Sequence, residues 1–326
     1  MTLLSPNRFT ATGERKPNAG IGWRSRAFLN LSIPQRPVSS LLLTLIVVIG
    51  CALTAPLTRA QTTSYDSAAR PFEPAEELIY KAEFSRSLLR KIDVANFKLT
   101  VSRVADPANS KTSATEARSY NLKLTGDAVS QGLFVRLFGL TFHQRVESTV
   151  AADSFAVQKT TRIDEQGKRV RASEAIFDHD RGQVTWVERD PRDPTRPERK
   201  ATARFDEPIQ DILSAIYFLR LRELQPGTKF QVAISDSGKV YKILISVVEK
   251  KQMKTPFGRV SVIRVDPELF GPNGMIAEQG NFSIWLTDDS RKIPVSARLK
   301  TEYGTFDISL KKASRSTSSN IASTDP

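Results

Sequence analysis

The 326-residue chain contains one cysteine and two histidines. A single thiol excludes a disulfide framework, a cysteine-rich zinc site and an iron–sulfur centre. His143 and His179 are too few for a histidine-rich metal site. Also missing are the motifs in which spacing itself builds a reaction. There is no HExxH pair for zinc, no glycine-rich phosphate loop, no GxGxxG turn, no GxSxG nucleophile elbow and no CxxC pair. The sequence thus offers no catalytic residue, cofactor or metal, and reads as non-enzymatic. Long hydrophobic runs are scarce too, with one exception near the amino terminus. The composition, 40% hydrophobic and 25% charged, supplies enough apolar surface to offset chain ordering, which excludes collagen-like and wholly disordered classes.

The formal charge of +13 invites a nucleic-acid reading until its distribution is considered. Residues 1–60 carry seven basic residues against Glu14 alone, so the other 266 residues carry 41 basic and 34 acidic residues, a net +7. Those basic residues alternate with acids and apolar positions along many segments. Such a pattern suits solvated strand faces rather than a phosphate-tracking stripe, and argues against a nucleic-acid partner.

The hydrophobic exception is Leu41–Ala55, fifteen residues without a charge, preceded by a basic region. This is the order of a secretory signal, and Thr58-Arg59-Ala60 supplies small residues for cleavage between Ala60 and Gln61. Two alternatives stand beside it. Val48-Ile49-Gly50-Cys51 matches a lipobox, which would make Cys51 the site of lipid attachment. Val38–Leu57, left uncleaved, is about long enough to span a bilayer, with residues 41–55 as its apolar core. Each outcome directs the protein to the cell envelope, periplasmic or membrane-anchored.

The expected organisation is a leader over 1–60, a polar tether over 61–74, a single β domain over 75–312 and a disordered, Ser/Thr-rich tail over 313–326. Period-two alternation runs through the β domain. Leu78, Tyr80, Ala82 and Phe84 alternate with polar neighbours, and Val94–Val101 does the same. Further strands are expected at Tyr120–Gly126, Phe155–Asp164, Arg169–Asp178, Gly182–Arg189, Lys229–Ser235, Val240–Glu249, Arg259–Asp266, Asn281–Leu286, Ile293–Thr301 and Thr305–Lys311. Turn residues separate them, among them Gln166-Gly167, Asp236-Ser237-Gly238 and Asp288-Asp289-Ser290. The main helix is expected at Pro208–Leu224, capped by Asp206 or Glu207. Asp211 would serve its amino end and Arg220 its carboxyl end by the macrodipole rule. Gln131–Phe142 reads as a helix or a bent strand, and Asp190–Lys200 as an exposed loop. The fold class is therefore all-β, mainly antiparallel: a curved sheet or half-barrel with one main helix packed across it, preceded by an N-terminal signal or anchor helix.

Several segments resemble the bacterial envelope family known as domain of unknown function 3108. Glu76-Glu77-Leu78-Ile79-Tyr80 looks like its opening strand. Phe177-Asp178 and the run Gln210-Asp211-Ile212-Leu213-Ser214-Ala215-Ile216-Tyr217-Phe218-Leu219-Arg220 resemble its central signature. Thr255-Pro256-Phe257-Gly258 and Ile284-Trp285-Leu286-Thr287-Asp288-Asp289 through Ile293-Pro294-Val295 are similar to its last hairpins. The resemblance covers about residues 72–312. It implies an exported all-β domain with one helix and carries no catalytic set. A curved sheet around an apolar space, as in lipoprotein carriers of the LolA type, is a fold analogy.

Candidate ligand contacts are Phe134 and Phe138 in the apolar Leu133–Phe142 cluster, Tyr217 on the helix and Trp285 in a strand. The leading reading is an apolar small molecule or lipid held by burial, which predicts a cavity of at least roughly several hundred Å³. A second reading is an assembly protein that pairs strand edges with another envelope protein. A third is a hydrolase using carboxylates such as Asp178, Asp180 or Asp288. His179 between two aspartates and Asp288-Asp289 read more simply as turn residues.

Overall fold

In β1 (Glu76–Arg86), Leu78, Tyr80, Ala82 and Phe84 are buried while the residues between them are half-buried. That alternation fixes one face of a pleated strand to an interior. The computed structural model describes residues 70–105, 120–132, 135, 141–271 and 274–315.

From β1 the chain continues as an antiparallel meander through β2 (Leu89–Ala105), β3 (Tyr120–Ser130), β4 (Phe142–Ala151), β5 (Val157–Gln166), β6 (Arg169–Asp178), β7 (Gln183–Arg189) and β8 (Arg199–Arg204). The short β9 (Ile209–Asp211) runs directly into helix α1 (Ile212–Leu221). A second meander follows: β10 (Lys229–Asp236), β11 (Lys239–Thr255), β12 (Gly258–Pro267), β13 (Gly280–Thr287), β14 (Pro294–Thr301) and β15 (Gly304–Arg315). Strand β15 returns to pair with β1, so the fifteen strands of the described residues join one sheet in the order β8-β7-β6-β5-β4-β3-β2-β1-β15-β14-β13-β12-β11-β10-β9. Every pairing is antiparallel except β9 with β10.

The sheet coils. Register shifts interrupt β1 on both sides, the β4–β5 pair, β11–β12 and β13–β14. Such bulges bend a strand and increase its twist. The two ends of the sheet meet through side chains rather than a backbone ladder. From β5, Thr160 Oγ1 donates to Asp211 of β9 at 2.6 Å, and Arg162 Nη2 donates to Asp236 of β10 at 2.7 Å. Val232 through Asp236 are buried without a break, as expected where the β10 end is covered on both faces. The β10–β11 turn lodges against β7 and β8. A Cβ on Gly238, whose φ is +76°, would meet Ala201 Cβ at 2.4 Å, so only glycine fits that tip.

The helix is shorter than its periodicity suggests. Ile209–Asp211 pair as a parallel strand with Ala233–Ser235, and Asp211 rather than Asp206 or Glu207 is the N-cap. Its carboxylate accepts from Ser214 N at 2.9 Å, and Ser214 Oγ accepts from Asp211 N at 2.9 Å, closing a capping box. Arg220 does not serve the helix carboxyl end. It is bound instead to Glu76, Pro71 and Arg291.

Arg70–Pro74, expected within a tether, are held down: Phe72 is buried against Phe155 and Tyr217. Residues 191–198 form exposed turns before β8. Strand β15 extends to Arg315. The leader, and the segment 316–326 of the expected tail, lie outside the described residues, as do Phe134, Phe138, Cys51, Ala60 and Gln61. Among the described residues no helix is long and apolar enough to cross a membrane.

Candidate functional site: a cavity with a polar corner

The coiled sheet and α1 line a part-open cavity of about 220 Å³. One wall is α1, which contributes Ile212, Leu213, Ala215, Ile216 and Leu219. Opposite it, inward positions of the first meander supply Phe97, Leu99, Val146, Ala175, Phe177 and Trp186. The second meander adds Val232, Ile234, Ile245, Phe282, Ile284 and Ile308. Small side chains leave the space open: Ala128, Ala175, Ala297 and Gly126 all line it. At Gly126 the Leu213 side chain lies 3.4 Å from where a Cβ would stand, so the missing side chain lets α1 approach β3.

The volume is below the several hundred Å³ expected, and the helix is the reason. Leu213 and Leu219 are buried on the sheet, and α1 crosses the interior rather than closing it from outside.

The lining is not uniformly apolar. Gln144, Thr160, Arg162 and Ser173 from β4–β6 face Asp211, Ser235 and Asp236 from the other end of the sheet. Two links close this corner, the buried Thr160 to Asp211 and the part-buried Arg162 to Asp236. Gln144 is 1% exposed and neither of its amide atoms has a hydrogen-bond partner among the described residues. Arg162 Nε is also buried without one.

Of the expected ligand contacts, Tyr217 and Trp285 lie outside this lining. Tyr217 is buried edge-on to Phe72, ring centroids 5.0 Å apart, beneath the Arg220 guanidinium. Burial pushes its hydroxyl far above the ordinary range. Trp285 packs with Leu78, Val262, Ile293, Val295 and Leu310, and Lys251 Nζ stands 4.9 Å from its ring centre. Its strand neighbour Ile284 does line the cavity, because successive strand residues point to opposite faces.

Of the carboxylates of the hydrolase reading, Asp178 and Asp288 have local partners, and Asp180 is exposed. Asp178 accepts from Arg181, and Asp288 pairs with Lys250 at 2.9 Å and accepts from Ser261. Asp289 Oδ1 accepts from Thr287 Oγ1, Arg291 N and Lys292 N, an Asx-type turn. His143 lies between Asp127 and Glu165 at 3.3 and 3.4 Å on the half-exposed side of β4, and His179 Nε2 lies 2.6 Å from the Val157 carbonyl. Among the described residues no cluster of three or more His, Cys, Asp or Glu side chains is arranged to hold a metal ion.

Periodicity did not find Gln144, Thr160, Arg162 or Asp236 as a group. A polar residue at an inward strand position was the available signal, as with Gln144 between buried Phe142 and Val146.

No curated protein matches the chain. Among solved structures it is similar to a β-barrel-like protein of domain of unknown function DUF1849 from Brucella abortus, with a TM-score of 0.48 and 11% identity over 74% of this chain and 97% of that one. The model of a family of unknown function, DUF3108, matches residues 96–311, from within β2 to within β15, and the chain belongs to that family.

Proposed function

We propose that this chain is an exported, non-enzymatic protein of the bacterial cell envelope that binds an apolar or amphipathic small molecule inside its coiled sheet. The observation that carries the reading is the apolar cavity of about 220 Å³ bounded by α1 and both meanders. Burial supplies the affinity: each methylene removed from water contributes about 0.8 kcal/mol. The space exceeds the roughly 150 Å³ that accommodates benzene in an engineered cavity and is below the roughly 300–1,000 Å³ of a drug-sized site. A single chain or ring therefore suits it better than a whole two-chain phospholipid. The hydrophobic leader over 41–55 supports export, whether it is cleaved, acylated at Cys51 or retained as an anchor.

The assembly reading needs a free sheet edge. Terminal strand β8 carries Arg199, Lys200 and Arg204, charges that discourage edge-to-edge pairing. The binding reading is therefore preferred.

Native mass spectrometry of the full chain purified from its own envelope, with organic extraction, tests it. A stoichiometric small molecule is expected, and Ala128→Leu, which fills part of the cavity, is expected to expel it. A ligand-free mass that takes up neither added fatty acid nor phospholipid overturns the reading.

A further inference from the structure

Strand β4 turns Gln144 inward between Phe142 and Val146. The side chain lines the cavity, is 1% exposed, and leaves both Oε1 and Nε2 without a partner among the described residues. Buried amides are nearly always paired, so such an amide calls for an explanation. The register puts Asp164 beside Gln144, and Arg162 beside Val146 one row along. Arg162 Nε and Asp164 Oδ1 are likewise buried and unpartnered. Of these three, Gln144 and Arg162 line the cavity, at its polar corner, and Asp164 does not.

The charged side chains that line the cavity at this corner are already committed. Arg162 is committed to Asp236 at 2.7 Å. Asp211 accepts from Thr160 through one oxygen and from Ser214 N through the other, at the positive end of α1. A charged head group would enter the cavity without an uncommitted counter-ion among the residues that line this corner, a costly transfer. An amide head instead offers the Gln144 amide both a donor and an acceptor.

Resting on the reading of the cavity as a ligand site, we infer that its ligand is a neutral amphiphile. A single apolar chain or ring lies against α1, and an uncharged head of the primary-amide type exchanges hydrogen bonds with Gln144, with Arg162 Nε as a further donor.

Titration calorimetry of the full chain with octanamide, octanoate and octylammonium tests the inference, with xenon as a head-group-free probe of the cavity. Octanamide is expected to bind at least about tenfold more tightly than either ion. Gln144→Leu is expected to reduce that preference to less than about threefold while xenon uptake persists. A second readout needs no variant: the Gln144 side-chain amide resonances of the wild type shift on adding octanamide. Xenon uptake with no preference for octanamide, with a preference unchanged by Gln144→Leu, or with unmoved Gln144 resonances, overturns the head-group assignment and leaves the cavity reading standing. Failure of xenon and all three octyl probes to bind overturns both.

Discussion

Arg220 and Glu76, 144 residues apart in the chain, meet as a bidentate ion pair with N···O distances of 2.6 and 2.9 Å. Both side chains are essentially inaccessible to water, at 0% and 2% exposure. Arg220 also donates to the carbonyls of Arg291 and Pro71, and its guanidinium lies 5.0 Å from the Phe72 ring centre. One side chain thereby ties α1 to β1, to the segment before it and to the β13–β14 turn. Removing one partner strands the other charge in the interior, so Glu76→Gln and Arg220→Met are each expected to cost about 3–5 kcal/mol. The double variant Glu76→Leu/Arg220→Met is expected to recover a large part of that loss. Urea unfolding of the three variants checks the prediction, and additive losses in the double variant would contradict it.

Asp211 caps α1 and also anchors Thr160 across the sheet ends. Asp211→Asn keeps the capping geometry and is expected to be mild, whereas Asp211→Ala loses the cap and leaves Thr160 and Ser214 N unpaired. A loss of about 2 kcal/mol or more is expected for the alanine. Hydrogen exchange of the α1 amides would register it first.

Gly238 holds the β10–β11 tip against Ala201 and Trp186. Gly238→Ala combines backbone strain at positive φ with a clash at the meeting of the sheet ends. The expected outcome is a clear fall in melting temperature, larger than for Gly227→Ala, whose φ is +88° but whose added Cβ would meet nothing within 4 Å.

Burial pushes the hydroxyls of Tyr80 and Tyr217 above their ordinary value of 10.0. As pH rises through that value the unfolded chain sheds these protons first while the native state keeps them, so stability falls with rising pH. Neither tyrosine should ionise before the protein unfolds. In an alkaline titration of tyrosinate absorbance, their contribution should appear only with loss of tertiary structure. Tyr80→Phe and Tyr217→Phe should each remove part of that cooperative step.

Asp164 shifts in the same direction for an acid: burial raises its carboxyl above the ordinary 3.8, partly offset by the hydrogen bond from Gln166. Its protonated form is favoured by folding, so its contribution is present below that ordinary value and is lost as pH rises through the raised one. Asp164→Asn is expected to gain stability relative to wild type at neutral pH, with the gap closing in acid. Denaturant midpoints at the two pH values decide it.

Much of the architecture was legible because each strand reports its own burial. Leu78, Tyr80, Ala82 and Phe84 announce β1, and Gly167 and Ser237-Gly238 mark hairpins by turn chemistry alone. Strand β4 escaped for a physical reason. Its inward positions include Gln144 and Ser148, so the alternation of apolar and polar residues is broken where the strand builds the polar corner. The property that hides β4 from periodicity is the one that makes it of interest. Strand β9 was absorbed into the helix because Ile209, Ile212 and Leu213 fit helical spacing; only the ladder with Ala233–Ser235 reveals an extended start.

By itself the sequence determined most of the strand content, most turn positions, the resemblance to the family and the absence of recognisable catalytic motifs. These rest on local periodicity, local turn chemistry and short motifs. Tertiary structure decided which faces meet. It made Arg220 a buried clamp rather than a helix-end charge, turned Trp285 away from the cavity lined by Ile284, and brought β5 to β9 and β10. Those outcomes depend on how far a fifteen-stranded sheet coils before its ends meet, which no local stretch of residues encodes.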